Sequence, residues 1–444
     1  MRKTCRCAVF LFLLLGVVSC RRAPSRPNIL FLSIDTLRAD RIGYTGYGRP
    51  TTPNLDRFAR EAYRFTDVLA QAPSTWSSHR SLFTSLYPSV HKQGQSRQSS
   101  SIPYSMASIL RDNGYHTAGF VDGGYLRAAF GFGHGFDLYD DDSKRDRPRV
   151  GIGRLGLAGI NPKVRAWFEA KPKQPFFLFV HTYDVHCPYT PPEPYFGKFS
   201  GWYKGVLQVQ GECGASFNGT RLSDEDYRYL SDLYDGGIAY MDNQLEALFR
   251  IFRDAGLFDD MMVIVTSDHG ESLGERGYVG HNRQYDEELQ IPLVWRVPGH
   301  AGGVVREPSQ SIDILPTMCS ILGIDPRIEM QGKDLLSCMQ GEASFEGTRM
   351  RMSEGTFGHA LRFDDRFKIV LRKSGSYELF DLRRDPGELA TVNDDGVAKE
   401  MLGKYRAWYK QNRPLYDRFK KTVKTEVDEE TKEQLEELGY AGDE

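Results

Sequence analysis

The stretch NILFLSI, residues 28–34, is a compact apolar run bounded by Pro27 and Asp35. It is too short for a core helix and lacks the alternation of a half-exposed strand. It reads as a strand buried on both faces, the pattern of a parallel-type sheet. Asp35 then stands at the strand's C-terminal end, where open α/β sheets place their sites. Similar runs follow at 175–181 (PFFLFVH), 261–266 (MMVIVT) and 291–297 (IPLVWRV), with a shorter one at 117–121. Helices are predicted between them, at 52–64, 105–113, 164–168, 223–252 and 311–322. In the first, Leu55, Phe58, Ala59 and Ala62 form an apolar stripe. Residues 131–162 and 197–221 read as Gly-rich surface loops, the latter carrying the sequon Asn218-Gly219-Thr220.

The chain has 444 residues, 40% hydrophobic and 26% charged, with net charge −2. That is enough length for a large core and a second, smaller unit. Near-neutral charge gives no reason to expect nucleic acid as a partner. From about residue 327 the segments become shorter and more charged, ending in a polar helix and a charged tail at 429–438. This reads as a small C-terminal α+β subdomain. The division expected is 28–326 and 327–444, after a linker at 21–27.

Residues 1–20 read as a leader. Arg2, Lys3 and Arg6 precede an apolar run at 8–18 that is short for a membrane span. Val17-Val18-Ser19-Cys20 is similar to a bacterial lipobox, which makes the chain exported to the periplasm or cell surface. It would be held to a membrane through lipidated Cys20. An ordinary cleaved signal with an incidental Cys is the alternative, and it too exports the chain. In an oxidising compartment, Cys187 with Cys213 and Cys319 with Cys338 are candidate bridges, free thiols being the alternative.

Three strand ends carry polar clusters: Asp35-Thr36; His181 with Asp184 and His186; and Asp268-His269. Singly, each suggests a cap or a satisfied histidine, but the fold brings equivalent strand ends together. A fourth stretch, PSTWSSHRSLFTSLYP at 73–88, places Thr75, Ser77, Ser78, His79 and Arg80 at the start of a helix. Hydroxyls there are usually caps. Beside Asp and His ligands for a divalent ion such as Ca²⁺, Mn²⁺ or Zn²⁺, a hydroxyl becomes a candidate nucleophile. His79, Arg80, His181, His186 and His281 could hold an anion's oxygens or protonate a leaving group. That chemistry suits sulfate, phosphate or phosphonate esters.

The run from NILFLSIDTLRADRIGYTGYGRPTTPNLDRF through FFLFVHTYDVHCPYTPP, VIVTSDHGESLGERG, HNRQYDEELQIPLVW and YELFDLRRDPGE resembles the sulfatase family of the alkaline-phosphatase superfamily. The motifs keep the family's order over roughly residues 27–388. The fold class expected is α/β, a three-layer sandwich around a large mixed, mostly parallel sheet with the small C-terminal subdomain. The resemblance implies that Asp35, Asp268 and His269 are metal ligands, with Thr36 where many members carry a second Asp. It implies one divalent cation, typically Ca²⁺, the altered ligands leaving Mn²⁺ or Zn²⁺ open. It makes Thr75, His79, Arg80, His186 and His281 the catalytic candidates. His181 and Asp184 are substrate-binding candidates.

The stretch at 73–88 departs from the family. Sulfatases carry a Cys or Ser there that matures to formylglycine. Alignment on TSLYP puts Thr75 at that place and His79 at the family's Arg; alignment on Arg80 puts Trp76 there. Neither offers formylglycine, and Asp122 stands near the family's next Lys. TWSSH resembles instead the superfamily relatives that act on phosphodiesters or transfer phosphoryl groups with a direct Thr nucleophile, a resemblance that implies phosphorus esters. The substrate expected is an anionic ester of a glycan, lipid or small molecule. Two alternatives stay open: a phosphoryl-type transferase on the same fold, and a degenerate member that binds an anionic glycan or lipid without cleaving it.

Overall fold

The structure, a computed structural model, describes residues 26–91, 98–100, 104–142, 156–209, 217–218, 221–342, 349–419 and 422–424. The leader with Cys20, most of the linker, Cys213, Gly219-Thr220 and the tail at 429–438 lie outside them.

Strand β1 (Ile29–Ile34) is the centre of the architecture. It pairs in parallel with the strand Phe176–Thr182 on one side and Met262–Thr266 on the other. Outward from Phe176–Thr182 lie His116–Val121 and Leu138–Asp140, both parallel. Outward from Met262–Thr266 come Leu293–Arg296, Tyr63–Phe65 and Gly303–Val305. Leu293–Arg296 runs antiparallel to both of its neighbours. The eight-stranded sheet is therefore mixed and mostly parallel, as expected.

Both faces of β1 are buried. Ile29 and Phe31 join a core shared with the helices Thr75–Thr84, Met106–Asp112 and Ile314–Ile321. Leu30, Leu32 and Ile34 join the opposite core with the long helix Asp224–Asp254. Each such side chain contributes roughly 1.5–3 kcal/mol by leaving water. Helices on both faces make the three layers.

The helix predicted at 52–64 is the helix Pro53–Ala59 followed by the strand Tyr63–Phe65, which lies between Leu293–Arg296 and Gly303–Val305. The 131–162 loop contains the strand Leu138–Asp140, and a helix, Gly156–Glu169, begins before its end. Cys319 and Cys338 are free thiols, which corrects the pairing considered for them. Cys319 lies in the apolar core, where burial pushes its thiol up to about 12 and keeps it protonated. Cys187 is disulfide-bonded.

The C-terminal unit is a four-stranded antiparallel sheet from Arg351 to Asp381, backed by the helix Asp395–Arg418. Buried ion pairs fasten it to the larger unit. Lys368 Nζ, 2.6 Å from Glu388 of its own unit, lies 2.7 Å from Asp286 of the larger one, and Arg351 lies 2.7 Å from Asp67. Leu335 and Met339, which precede this sheet, pack in the core of the large sheet. No helix of the described residues is long and apolar enough to cross a membrane.

Candidate metal centre and nucleophile

The register of the sheet assembles the site. Ser33 of β1 stands opposite His181 on one neighbour and Thr266 on the other, so the three C-terminal ends are level. Asp35 leaves β1 there, its N–H donating to Thr182 O at 3.0 Å. Ser267, Asp268 and His269 leave the strand Met262–Thr266 at the same level.

Asp35, Asp268 and His269 are fully buried, and one ligand atom from each lies within 4.8 Å of the others. His269 Nδ1 donates to Gly270 O at 2.9 Å, which fixes the neutral tautomer and leaves Nε2 as the acceptor nitrogen. Asp268 Oδ1 accepts from Thr36 N at 3.3 Å and from His269 N at 2.9 Å. Asp268 Oδ2 is buried and accepts no hydrogen bond, and Thr36 Oγ1 is buried without a partner. Thr36 also holds φ 57, the left-handed region that a β-branched residue seldom adopts. Oxygen and imidazole donors converging with unpaired acceptors fit a divalent cation. Burial, then repulsion from Asp35, pushes Asp268 up to about 7. A bound cation reverses that balance.

Thr75 is the first residue of the helix Thr75–Thr84, whose N-cap Ser74 makes no side-chain capping bond. The Thr75 hydroxyl faces the strand-end cluster. It donates to Asp35 Oδ2 at 3.1 Å, and its Oγ1 lies 3.4 Å from His269 Nε2. One helical turn later, His79 Nδ1 donates to Thr75 O at 2.9 Å and lies 3.4 Å from Asp268 Oδ2, while Nε2 meets Ser33 Oγ at 2.9 Å. Thr75 and His79 thus face the cluster together. Trp76 packs into the core beside His91, and Arg80 runs toward Gly131 and Tyr104.

His181 Nε2 lies 3.2 Å from Asp35 Oδ2. From His181 a chain of rings continues through Tyr183 at 4.7 Å and His186 at 5.4 Å to His281 at 5.5 Å and His269 at 4.4 Å. His186 Nδ1 donates to Cys187 O at 2.7 Å and His281 Nδ1 to Pro73 O at 3.0 Å, so each directs Nε2 elsewhere. Burial holds His79, His181 and His269 down to about 4 and His281 to about 3. Asp184 has a different position. Its carboxylate accepts from Leu157 N at 2.9 Å and Thr182 Oγ1 at 2.8 Å, bracing the start of the helix Gly156–Glu169. Asp122 braces the same helix start through Gly156 N at 3.1 Å.

Three contacts escaped the sequence reading. Ser33 meets His79 as above, Ser78 Oγ donates to Asp268 O at 2.6 Å, and Tyr234 OH donates to Thr36 O at 2.6 Å. Ser33 and Tyr234 stand inside apolar patterns that look like plain core. A polar residue at a position facing the core was the available signal.

The fold and site define an α/β protein whose strand ends gather a candidate cation centre beside a buried hydroxyl. A family model described as sulfatase matches residues 27–324, and one described as N-sulphoglucosamine sulphohydrolase, C-terminal, matches residues 274–413. The chain belongs to the sulfatase family and is a sulfatase-like hydrolase. It is 25% identical over 422 residues to the uncharacterized sulfatase YidJ of Escherichia coli, covering 83% of this chain and 84% of that protein. It is 23% identical over 482 residues to the multifunctional alkaline phosphatase superfamily protein PehA of Trinickia caryophylli, covering 86% and 94%. Among solved structures it is similar to the phosphonate monoester hydrolase of Agrobacterium radiobacter. The TM-score there is 0.68 and the identity 21%, with 91% of this chain and 99% of that chain covered.

Proposed function

We propose that this chain cleaves its ester with the Thr75 hydroxyl as nucleophile, in a metal-dependent reaction without formylglycine. The observation that carries the reading is the position of Thr75 Oγ1, 3.1 Å from Asp35 and 3.4 Å from His269. Held by Asp35, Asp268 and His269, a divalent cation supplies Lewis-acid stabilisation of the anionic ester and eases ionisation of a neighbouring hydroxyl.

Thr75 gives its proton toward Asp35 Oδ2, the acceptor it already meets, and Oγ1 attacks sulfur or phosphorus. His181 shares that carboxylate oxygen and offers an onward proton path. His79 stabilises the start of the nucleophile helix by bonding Thr75 O and lying beside Asp268. His186, or His281 once the anionic ester offsets the burial that depresses its pKa, donates to the departing alcohol oxygen. Water then hydrolyses the Thr75 ester and the site is restored. The substrate is an anionic ester, and the direct Thr nucleophile favours phosphorus over sulfur.

The test is a panel of 4-nitrophenyl sulfate, phosphate and phenylphosphonate, with Ca²⁺, Mn²⁺ and Zn²⁺ in turn. Turnover of a phosphorus ester that is lost in Thr75→Ala supports the reading. Fast sulfate turnover without phosphorus turnover overturns the phosphorus preference. Export with a lipid anchor at Cys20 is part of the same proposal, supported by the leader at 1–20. Palmitate labelling that persists in Cys20→Ser contradicts it.

A further inference from the structure

Gln284 is a buried amide that the chemistry above does not use. It is 2% exposed, and neither Oε1 nor Nε2 has a hydrogen-bond partner. Buried polar groups in folded proteins are nearly always satisfied, so such a group calls for a ligand or a water.

Its place in the fold indicates which. Gln284 ends a turn in which Gly280 and the non-glycine Asn282 both hold positive φ, at 112 and 108. From that turn His281 reaches Pro73 O, two residues before Thr75. Gln284 lies against Gly355: a Cβ added there would come within 2.4 Å of Gln284 Nε2 and 3.3 Å of the Pro73 ring. Gly355 ends a strand of the C-terminal sheet, and its neighbour Glu354 donates its N–H to Gln71 O at 2.8 Å. The hairpin tip beyond it carries Phe357, 56% exposed. The amide therefore sits where the nucleophile loop, the strained turn and the C-terminal sheet meet.

We propose that Gln284 is a specificity-determining residue that hydrogen-bonds the alcohol half of the substrate, not its oxyanion. This rests on the ester-hydrolase reading and deepens it. A carboxamide offers one acceptor and two donors in a plane, a match for adjacent hydroxyls or an acylated amine. The alcohol half is then a polar, hydroxyl- or amide-bearing group such as a sugar, rather than a bare aryl ring.

The test uses full-length Thr75→Ala protein loaded with Ca²⁺, so that esters bind without turnover. Calorimetry measures glucose 6-sulfate, glucose 6-phosphate, phenyl sulfate and phenyl phosphate, with and without Gln284→Leu. The proposal expects both glucose esters to weaken roughly tenfold or more, as for two lost neutral hydrogen bonds. It expects the phenyl esters to change by less than about threefold. Gly355→Ala, which crowds the amide without removing it, should show the same selective loss and carries the test if Gln284→Leu fails to fold. Equal losses for glucose and phenyl esters overturn the proposal. So does a lowered Tm with unchanged affinities, the result expected if Gln284 only holds a water, and so does the absence of binding by any of the esters. If the wild type turns over none of them but the selective loss is seen, the hydrolase reading fails and the role of Gln284 stands.

Discussion

Thr75 Oγ1 and Asp35 Oδ2, forty residues apart in sequence, lie 3.1 Å apart in a fully buried site. Asp35 closes the central strand and Thr75 opens a helix from the next layer, so the contact joins the proposed nucleophile and a candidate cation ligand directly. Thr75→Ala should lower kcat by roughly a thousandfold or more, the scale for removal of a nucleophile. Thr75→Ser keeps the hydroxyl and should recover most of that loss. Steady-state kinetics of the two variants checks the pair.

Cation binding should be pH-dependent, because Asp268 must lose a proton to act as a ligand. Burial and Asp35 push this carboxyl up to about 7. Protons therefore compete below that pH, and Ca²⁺ affinity should rise from about pH 5 to about pH 7 and then level off. Calorimetry across that range measures it. Asp268→Asn should weaken binding and flatten the dependence. Removing the cation with a chelator should abolish turnover, with recovery on adding it back.

Glu288 gives a stability prediction that does not involve Thr75. Burial pushes its carboxyl up to about 8, although Ser272 Oγ and Arg283 N each donate to it at 2.6 Å. The folded pKa exceeds the unfolded one. The stability this group contributes is fully present below the ordinary carboxylate value and is lost as pH rises through about 8. Glu288→Gln stays neutral throughout. Its Tm relative to wild type should improve steadily between about pH 5 and about pH 9, as thermal melts would record. A constant difference would show that Glu288 titrates normally.

The thiols provide a simple check on packing. Cys319 is buried and Cys338 partly so, and neither is bridged. Thiol titration of the native protein without reductant should label Cys338 readily and Cys319 only on unfolding. Peptide mapping that finds Cys319 bonded to Cys338 would contradict the structure.

Much of this was legible because local pattern and global role coincide. The stretch 28–34 reads as buried on both faces, and Phe31 and Leu32 do enter opposite cores. Asp35, Asp268 and His269 follow such strands, so their convergence was readable. The choice between His79 and Arg80 was not, since both are basic and adjacent. Helix geometry decides it. Residues 75 and 79 share a face four positions apart, while residue 80 is rotated away. Tyr63–Phe65 was read as helix because its pairing with Leu293–Arg296 lies some 230 residues away in the chain, beyond any local signal. Asp184 stood near His186 in sequence, but the tight start of a neighbouring helix takes its carboxylate.

The central claim, that Thr75 attacks the ester directly, is tested most directly by trapping the intermediate. Wild-type protein with Ca²⁺ and the best ester of the panel would be acid-quenched in the first turnover, digested and analysed by peptide mass spectrometry. The account predicts a sulfo- or phospho-group on Thr75, which is lost when the quench is delayed and never forms in Thr75→Ala. Wild-type rates in Thr75→Ala, with no modified peptide in any sample, would contradict it.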